Sequence, residues 1–134
     1  MNKKIGASKK KSKKLVLLVE DEPSLQEAIK MRLKEDGVKV FPFSNGKEAL
    51  EFIKKDSDKI DLVWLDILLP GMNGLELLSA IRNDLKLKDL PVVIVSVSAS
   101  KEKLKKASDL NVLEFIVKSE GSLGSIIDRV KKYL

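Results

Sequence analysis

The sequence contains no cysteine and no histidine in its 134 residues. Without cysteine there is no disulfide, no thiolate nucleophile and no sulfur-ligated metal. Without histidine there is no imidazole base, no Ser-His-Asp triad and no histidine-ligated zinc. Long apolar runs are missing as well. The first run, Leu15 to Val19, is five residues long and leads straight into Glu20-Asp21-Glu22. A secretory signal needs about 7–15 apolar residues and a membrane helix about 20, so a cytoplasmic protein is expected. What remains for chemistry is carboxylate, lysine and serine, with a hard cation as the natural metal partner.

Charge is present in excess but unevenly. The chain has 26 Lys plus Arg against 20 Asp plus Glu, a formal net charge of +6. Residues 1–14 (MNKKIGASKKKSKK) hold seven lysines and no acid, which leaves 19 bases and 20 acids in residues 15–134. The body is therefore close to neutral, and the basic character belongs to a short tail. The tail is polar, repetitive and without apolar periodicity, which reads as disorder. A lysine run can attract nucleic acid or an anionic membrane, but no aromatic residue interleaves with it to stack on bases. Contact with nucleic acid would rest on this tail alone. The plainer reading is a solvated end.

The body, 43% hydrophobic residues in the chain as a whole, is long enough for one domain. It alternates short apolar runs with amphipathic stretches. Leu15–Val19, Val38–Phe43, Leu62–Leu65, Val92–Val95 and Val112–Val117 read as strands. Pro42 interrupts the second and predicts an edge position. Pro23 opens a helix marked by Leu25, Ile29 and Leu33, with Gly37 as its stop. Asn45-Gly46 is a turn before a helix carrying Ala49, Leu50 and Ile53. Pro70-Gly71-Met72-Asn73-Gly74 is a loop before a helix with Leu75, Leu78 and Ile81. Lys101 to Leu110 is a short basic helix with a solvated face. Leu123, Ile126, Ile127 and Val130 mark the last helix.

Five such units, with strands rich in Val, Ile and Leu and little alternation, predict a parallel sheet buried on both faces. Right-handed crossovers make this a doubly wound α/β fold, whose ligand site lies beyond the carboxyl ends of the strands. Those ends carry Glu20, Asp21 and Glu22 after the first strand, Asp66 after the third, Ser96 after the fourth and Lys118 after the fifth. Singly, each has an ordinary explanation as a cap, a buried hydroxyl or a surface lysine. Together they bring acids, a hydroxyl and an amine to one edge of one sheet. Clustered carboxylates suit Mg²⁺, and a carboxylate beside that cation can attack a phosphoryl group.

At this point the residues carry a resemblance. The segments LVLLVEDEP, SNGKEAL, LVWLDILLPGMNGLELL, LPVVIVS and FIVK resemble the receiver domain of two-component response regulators, similar to the stand-alone chemotaxis receiver. The match spans about residues 15–133, with residues 1–14 as the tail outside it. The resemblance implies a flavodoxin-like sheet of order 2-1-3-4-5 with five helices on its two faces. It implies that Asp66 accepts a phosphoryl group from a histidine kinase or phosphotransfer protein. Glu20, Asp21, Asp66 and the backbone carbonyl of Leu68 would hold Mg²⁺. Lys118 and Ser96 would bind the phosphoryl oxygens, and Ser96 and Phe115 would switch position on modification. The readout would be the surface of the fourth helix, fifth strand and fifth helix.

Several residues depart from the family's pattern. Glu20 stands where Asp is commoner. Val97 follows Ser96 where Ala or Gly is usual, which also brings Ser98, followed by Ala99, into play as the working hydroxyl. Ser96 is favoured because it lies five residues after Pro91, as the pattern has it. Phe115 replaces a frequent Tyr. Ser119 follows Lys118 where Pro usually stands, so a cis peptide there is either lost or kept at a cost of roughly 2–3 kcal/mol. The expected function is a phosphorylation-dependent switch without turnover of its own. The chain ends soon after the last helix, so partner binding or onward relay is the expected output. Two alternatives remain: a receiver scaffold that is never phosphorylated, and an Mg²⁺-dependent aspartyl-phosphate phosphatase. The second would usually carry an acid two residues after the nucleophile, where this chain has Leu68.

Overall fold

Strand β1 (Leu15–Val19) is buried at all five positions, which requires a sheet covered on both faces. The computed structural model describes residues 13–134; the tail expected to be disordered lies, up to residue 12, outside the described residues. The other strands are β2 (Lys39–Phe43), β3 (Leu62–Leu65), β4 (Val92–Ser96) and β5 (Glu114–Val117). All neighbours pair in parallel, in the order β2-β1-β3-β4-β5. The helices are α1 (Pro23–Glu35), α2 (Gly46–Asp56), α3 (Gly74–Ser79), α4 (Lys101–Asp109) and α5 (Leu123–Lys131). This is the doubly wound arrangement expected from the sequence.

Alternation of side chains along the strands builds two cores. Leu15, Leu17 and Val19 point to the face covered by α2, α3 and α4, with Ala49, Ile53, Leu77, Leu78 and Ala107. Val16 and Leu18 point to the other face, with Ile29 and Leu33 of α1 and Ile126, Ile127 and Val130 of α5. The edge position of β2 follows from Pro42, which cannot donate to a second neighbour. Pro23 starts α1 as expected, and Gly37, at φ 79°, takes the left-handed turn that ends it. Asn45 and Asn73 are helix caps, each accepting from the backbone N–H three residues on.

Two local expectations are corrected. The fifth strand begins at Glu114, two residues later than expected. Asn111 sits at φ 60°, and the Val112 N–H donates back to the Ala107 carbonyl, so these residues close α4 instead of extending β5. The third helix is regular only to Ser79 and continues as a π-helical turn over Ala80–Asp84. That turn directs Arg82 inward. Arg82 is 7% exposed, and its guanidinium donates to the carbonyls of Leu87, Leu110 and Asn111, tying the end of α4 to the segment after α3.

On the α5 side, Glu114 accepts from Arg129 Nε at 3.0 Å and from Tyr133 Oη at 2.8 Å. Partial burial works against its carboxylate, but these bonds and the Arg129 charge outweigh it and hold its pKa below the ordinary 4.5. A depressed carboxylate pKa stabilises the fold above about pH 4.5, and that contribution is lost as the pH falls through the folded-state pKa. Thermal melts of Glu114→Gln should therefore lie below the unsubstituted protein at neutral pH, by less than about 1 kcal/mol because the pair is solvent-screened. The two melting curves should converge in acid. A gap that is unchanged or wider in acid would refute this.

Candidate functional site at the carboxyl edge of the sheet

The site is assembled by strand register. Val19 of β1 pairs with Leu65 of β3, so the residues that follow them, Glu20 and Asp66, emerge side by side. The Asp66 N–H donates to the Val19 carbonyl at 3.0 Å, and the Glu20 N–H donates to Phe43 O at 3.0 Å, which holds both backbones in the sheet. Glu20 is 1% exposed and Asp66 4%, whereas Asp21 faces solvent. One carboxylate oxygen from each of these three acids lies within 4.8 Å of the others.

Lys118, at the end of β5, closes the site. Its Nζ lies 3.0 Å from Glu20 Oε1 and 3.3 Å from Asp66 Oδ2. Burial opposes the Lys118 ammonium, but the hydrogen bond to Glu20 and the charges of Asp66 and Glu20 prevail, and its pKa lies above the usual lysine value. Burial pushes the Glu20 carboxyl up. Its bonds from Lys118 and from the Glu22 N–H only partly offset that, and the Asp66 charge adds to it. The two rises differ in cause: burial leads for Glu20, whereas for Lys118 the paired acids outweigh burial. The Lys118–Ser119 peptide is trans, as are all peptide bonds in the described residues, and the lysine reaches the acids in that form.

Glu20, Asp21 and Asp66 against Lys118 leave a formal excess of two negative charges. Oxygen donors alone, at this spacing and with this charge, fit a hard divalent cation.

The remaining expected residues fall around this centre. The Leu68 N–H donates to Asp66 Oδ1 at 3.2 Å, a contact the sequence reading did not contain. Ser96 pairs with Val117, the residue before Lys118, and is fully buried; its Oγ has no hydrogen-bond partner. Buried hydroxyls are nearly always bonded, which makes Ser96 Oγ one of the two exceptions among the buried side-chain polar atoms of the described residues. Ser98 is exposed in the following loop, and Val97 is 53% exposed. Phe115 is half-buried in β5 opposite Ile94 and packs against the core on the α4 side.

Sequence reasoning missed Gly74. A Cβ there would collide with the Asp66 carbonyl oxygen and lie 2.8 Å from Ile67 Cα. The Gly74 N–H donates to the Ile67 carbonyl at 2.8 Å, so the start of α3 rests directly on the backbone that carries Asp66. The available signal was a glycine at a first helical position, where most residues would serve better.

A doubly wound sheet with paired acids after β1, an aspartate after β3 and a lysine after β5 defines a receiver-type signalling module. The response regulator receiver domain model matches residues 16–131, and the chain belongs to that family. It is 33% identical over 120 residues to the transcriptional regulatory protein CrdR of Helicobacter pylori, covering 90% of this chain and 54% of CrdR. The chain spans 14% of the two-component response regulator-like PRR37 of Oryza sativa, to which it is 31% identical. Among solved structures, the phosphorylated cyanobacterial phytochrome response regulator RcpA superposes with a TM-score of 0.77 at 30% identity, covering 90% of this chain and 91% of RcpA. The Mn²⁺-bound form of response regulator Rcp1 gives 0.74 at 25% identity, covering 89% and 90%. The protein is thus a receiver domain of two-component signalling. No helix among the described residues is long and apolar enough to cross a membrane.

Proposed function

We propose that the protein is a phosphorylation-dependent switch in which Asp66 accepts a phosphoryl group from a phosphohistidine on a kinase or phosphotransfer protein in the cytoplasm. An Asp66 carboxylate oxygen forms the new O–P bond, the P–N bond to the partner's imidazole breaks, and the imidazole takes up a proton. This chain has no histidine, so that imidazole belongs to the partner. Lys118, already 3.3 Å from Asp66 Oδ2, pairs with the incoming phosphoryl oxygens. Ser96 offers them its unbonded hydroxyl, a role the exposed Ser98 is less well placed to fill. Phe115 turns inward as Ser96 moves, and the surface of α4, β5 and α5 carries the change to a partner. Glu20, Asp21, Asp66 and the Leu68 carbonyl would hold Mg²⁺, which when bound offsets negative charge on the phosphoryl oxygens. The phosphorylated state of RcpA and the bound Mn²⁺ of Rcp1 are in line with this reading. The protein assists its own modification but turns over no independent substrate.

The observation that carries the proposal is the convergence of three carboxylates within 4.8 Å and one ammonium from three strands. Beryllofluoride, a phosphoryl mimic, tests it. With Mg²⁺ it should shift backbone amide resonances around Asp66, Ser96 and Lys118, and EDTA should reverse the shifts. Spectra unchanged by beryllofluoride with Mg²⁺ would favour the unphosphorylated scaffold instead.

A further inference from the structure

The three acids of the site are not held alike. Asp66 accepts from the Leu68 N–H and from Lys118, and Glu20 accepts from Lys118 and from the Glu22 N–H, so each buried carboxylate is fixed on two sides. Asp21 is exposed and lies beyond the end of β1 at Val19, so the peptides on either side of it set its place. The Glu22 N–H donates to Glu20 Oε2 at 3.2 Å, and Glu20 O accepts from Gln26 Nε2 at 2.8 Å. The first of these bonds draws on a carboxylate that a cation also needs. The second does not, because it ends on the main-chain carbonyl. Gln26 is half-buried in α1, and its own N–H donates to Glu22 O at 2.9 Å. Helical side chains lean toward the helix N-terminus, which aims Gln26 back at the chain entering α1. A carbonyl only accepts, so the amide presents its NH₂ end.

We propose that Gln26 is a positioning residue for the divalent cation: its amide holds the Glu20–Asp21 peptide so that the Asp21 carboxylate stands with those of Glu20 and Asp66 before the cation arrives. The inference rests on the Mg²⁺ reading given above. An exposed ligand on an untied loop must be ordered when the cation binds, and that lost freedom weakens affinity. A ligand ordered beforehand does not lose it again. Groups that hold metal ligands from outside tune affinity in this way without touching the metal. The Gln26 amide carries no charge, so it acts through the hydrogen bond and not through the field at the site.

Gln26→Met keeps the length of the side chain and removes the donor. Mg²⁺ titrations of metal-free protein, followed by backbone amide resonances, should give a dissociation constant about 3- to 10-fold above that of the unsubstituted protein, the loss expected for one net hydrogen bond. Ser24→Ala is the comparison in the same helical turn. It removes a hydroxyl that donates to Glu22 Oε2 at 3.0 Å, and it should leave the constant unchanged. At saturating Mg²⁺, Gln26→Met should take up phosphoryl from acetyl phosphate at the unsubstituted rate, because Asp66 and Lys118 are untouched. A general loosening of the site would lower that rate as well. An unchanged dissociation constant in Gln26→Met overturns the proposal. So does equal weakening by Ser24→Ala, or a saturating rate that falls along with the affinity. Failure of the unsubstituted protein to show saturable Mg²⁺ shifts is a different result: it overturns the cation site itself, and this inference with it.

Discussion

Asp66→Asn should all but abolish phosphoryl uptake: in acetyl phosphate with Mg²⁺, the variant should be modified at least roughly 10³-fold more slowly than the unsubstituted protein. The substitution is nearly isosteric, so shape is kept while the reacting oxygen is lost. An amide oxygen carries no anionic charge and is far too weak a nucleophile to attack phosphorus at a useful rate. The fold should survive, because the Asp66 backbone stays bonded to Val19 and the side-chain oxygen can still accept from the Leu68 N–H. Lys118 loses one of its two anionic partners but keeps Glu20 at 3.0 Å. Mg²⁺ affinity should fall too, since one of three carboxylates is gone. Phosphate incorporation measured on intact protein decides the matter. Undiminished uptake by the variant would remove Asp66 from its assigned role.

Gly74→Ala should destabilise the fold by about 2–3 kcal/mol, although the change raises helix propensity by up to about 1 kcal/mol. The added methyl would meet the backbone of Asp66 and Ile67, which belongs to a central strand end and cannot swing aside as a side-chain tip can. Either α3 lifts away or the Asp66 loop moves, and both break the bond from the Gly74 N–H to Ile67 O. Urea unfolding of the two proteins gives the number. Equal or greater stability in the variant would show that the contact relaxes at no cost. A loss of the predicted size, together with slower phosphoryl uptake, would place Gly74 among the residues that position Asp66.

The legible and the illegible parts of this protein differ in kind. Strands β1 and β3 and the helix starts at Pro23, Leu123 and Lys101 could be read to the residue, because each is announced by a local change in hydrophobic period or by a terminating residue. The gathering of Glu20, Asp21, Asp66 and Lys118 was also legible, since a parallel doubly wound sheet sends every strand's carboxyl end to one edge. Val112 and Leu113 read as strand in the sequence, because their apolarity does not reveal that Val112 bonds back to Ala107 to close α4. Arg82 gave no sign of burial. Its three carbonyl partners come from segments up to 29 residues away, and only their packing makes a guanidinium-sized slot.

By itself the amino-acid sequence determined the order of elements, the edge placement of the strand containing Pro42, and the chemical type of the site. Absent histidine and cysteine and convergent acids leave oxygen-ligand and carboxylate chemistry. Tertiary structure alone decided the rest. It placed Lys118 on two acids at once across 98 and 52 residues of chain, left Ser96 Oγ and the Trp64 N–H without partners, and set the backbone of Asp66 against Gly74. The reason is physical. Periodicity and capping act over a few residues and are written locally. Distances of about 3 Å between remote side chains, and the spaces left between helices, depend on how whole layers pack.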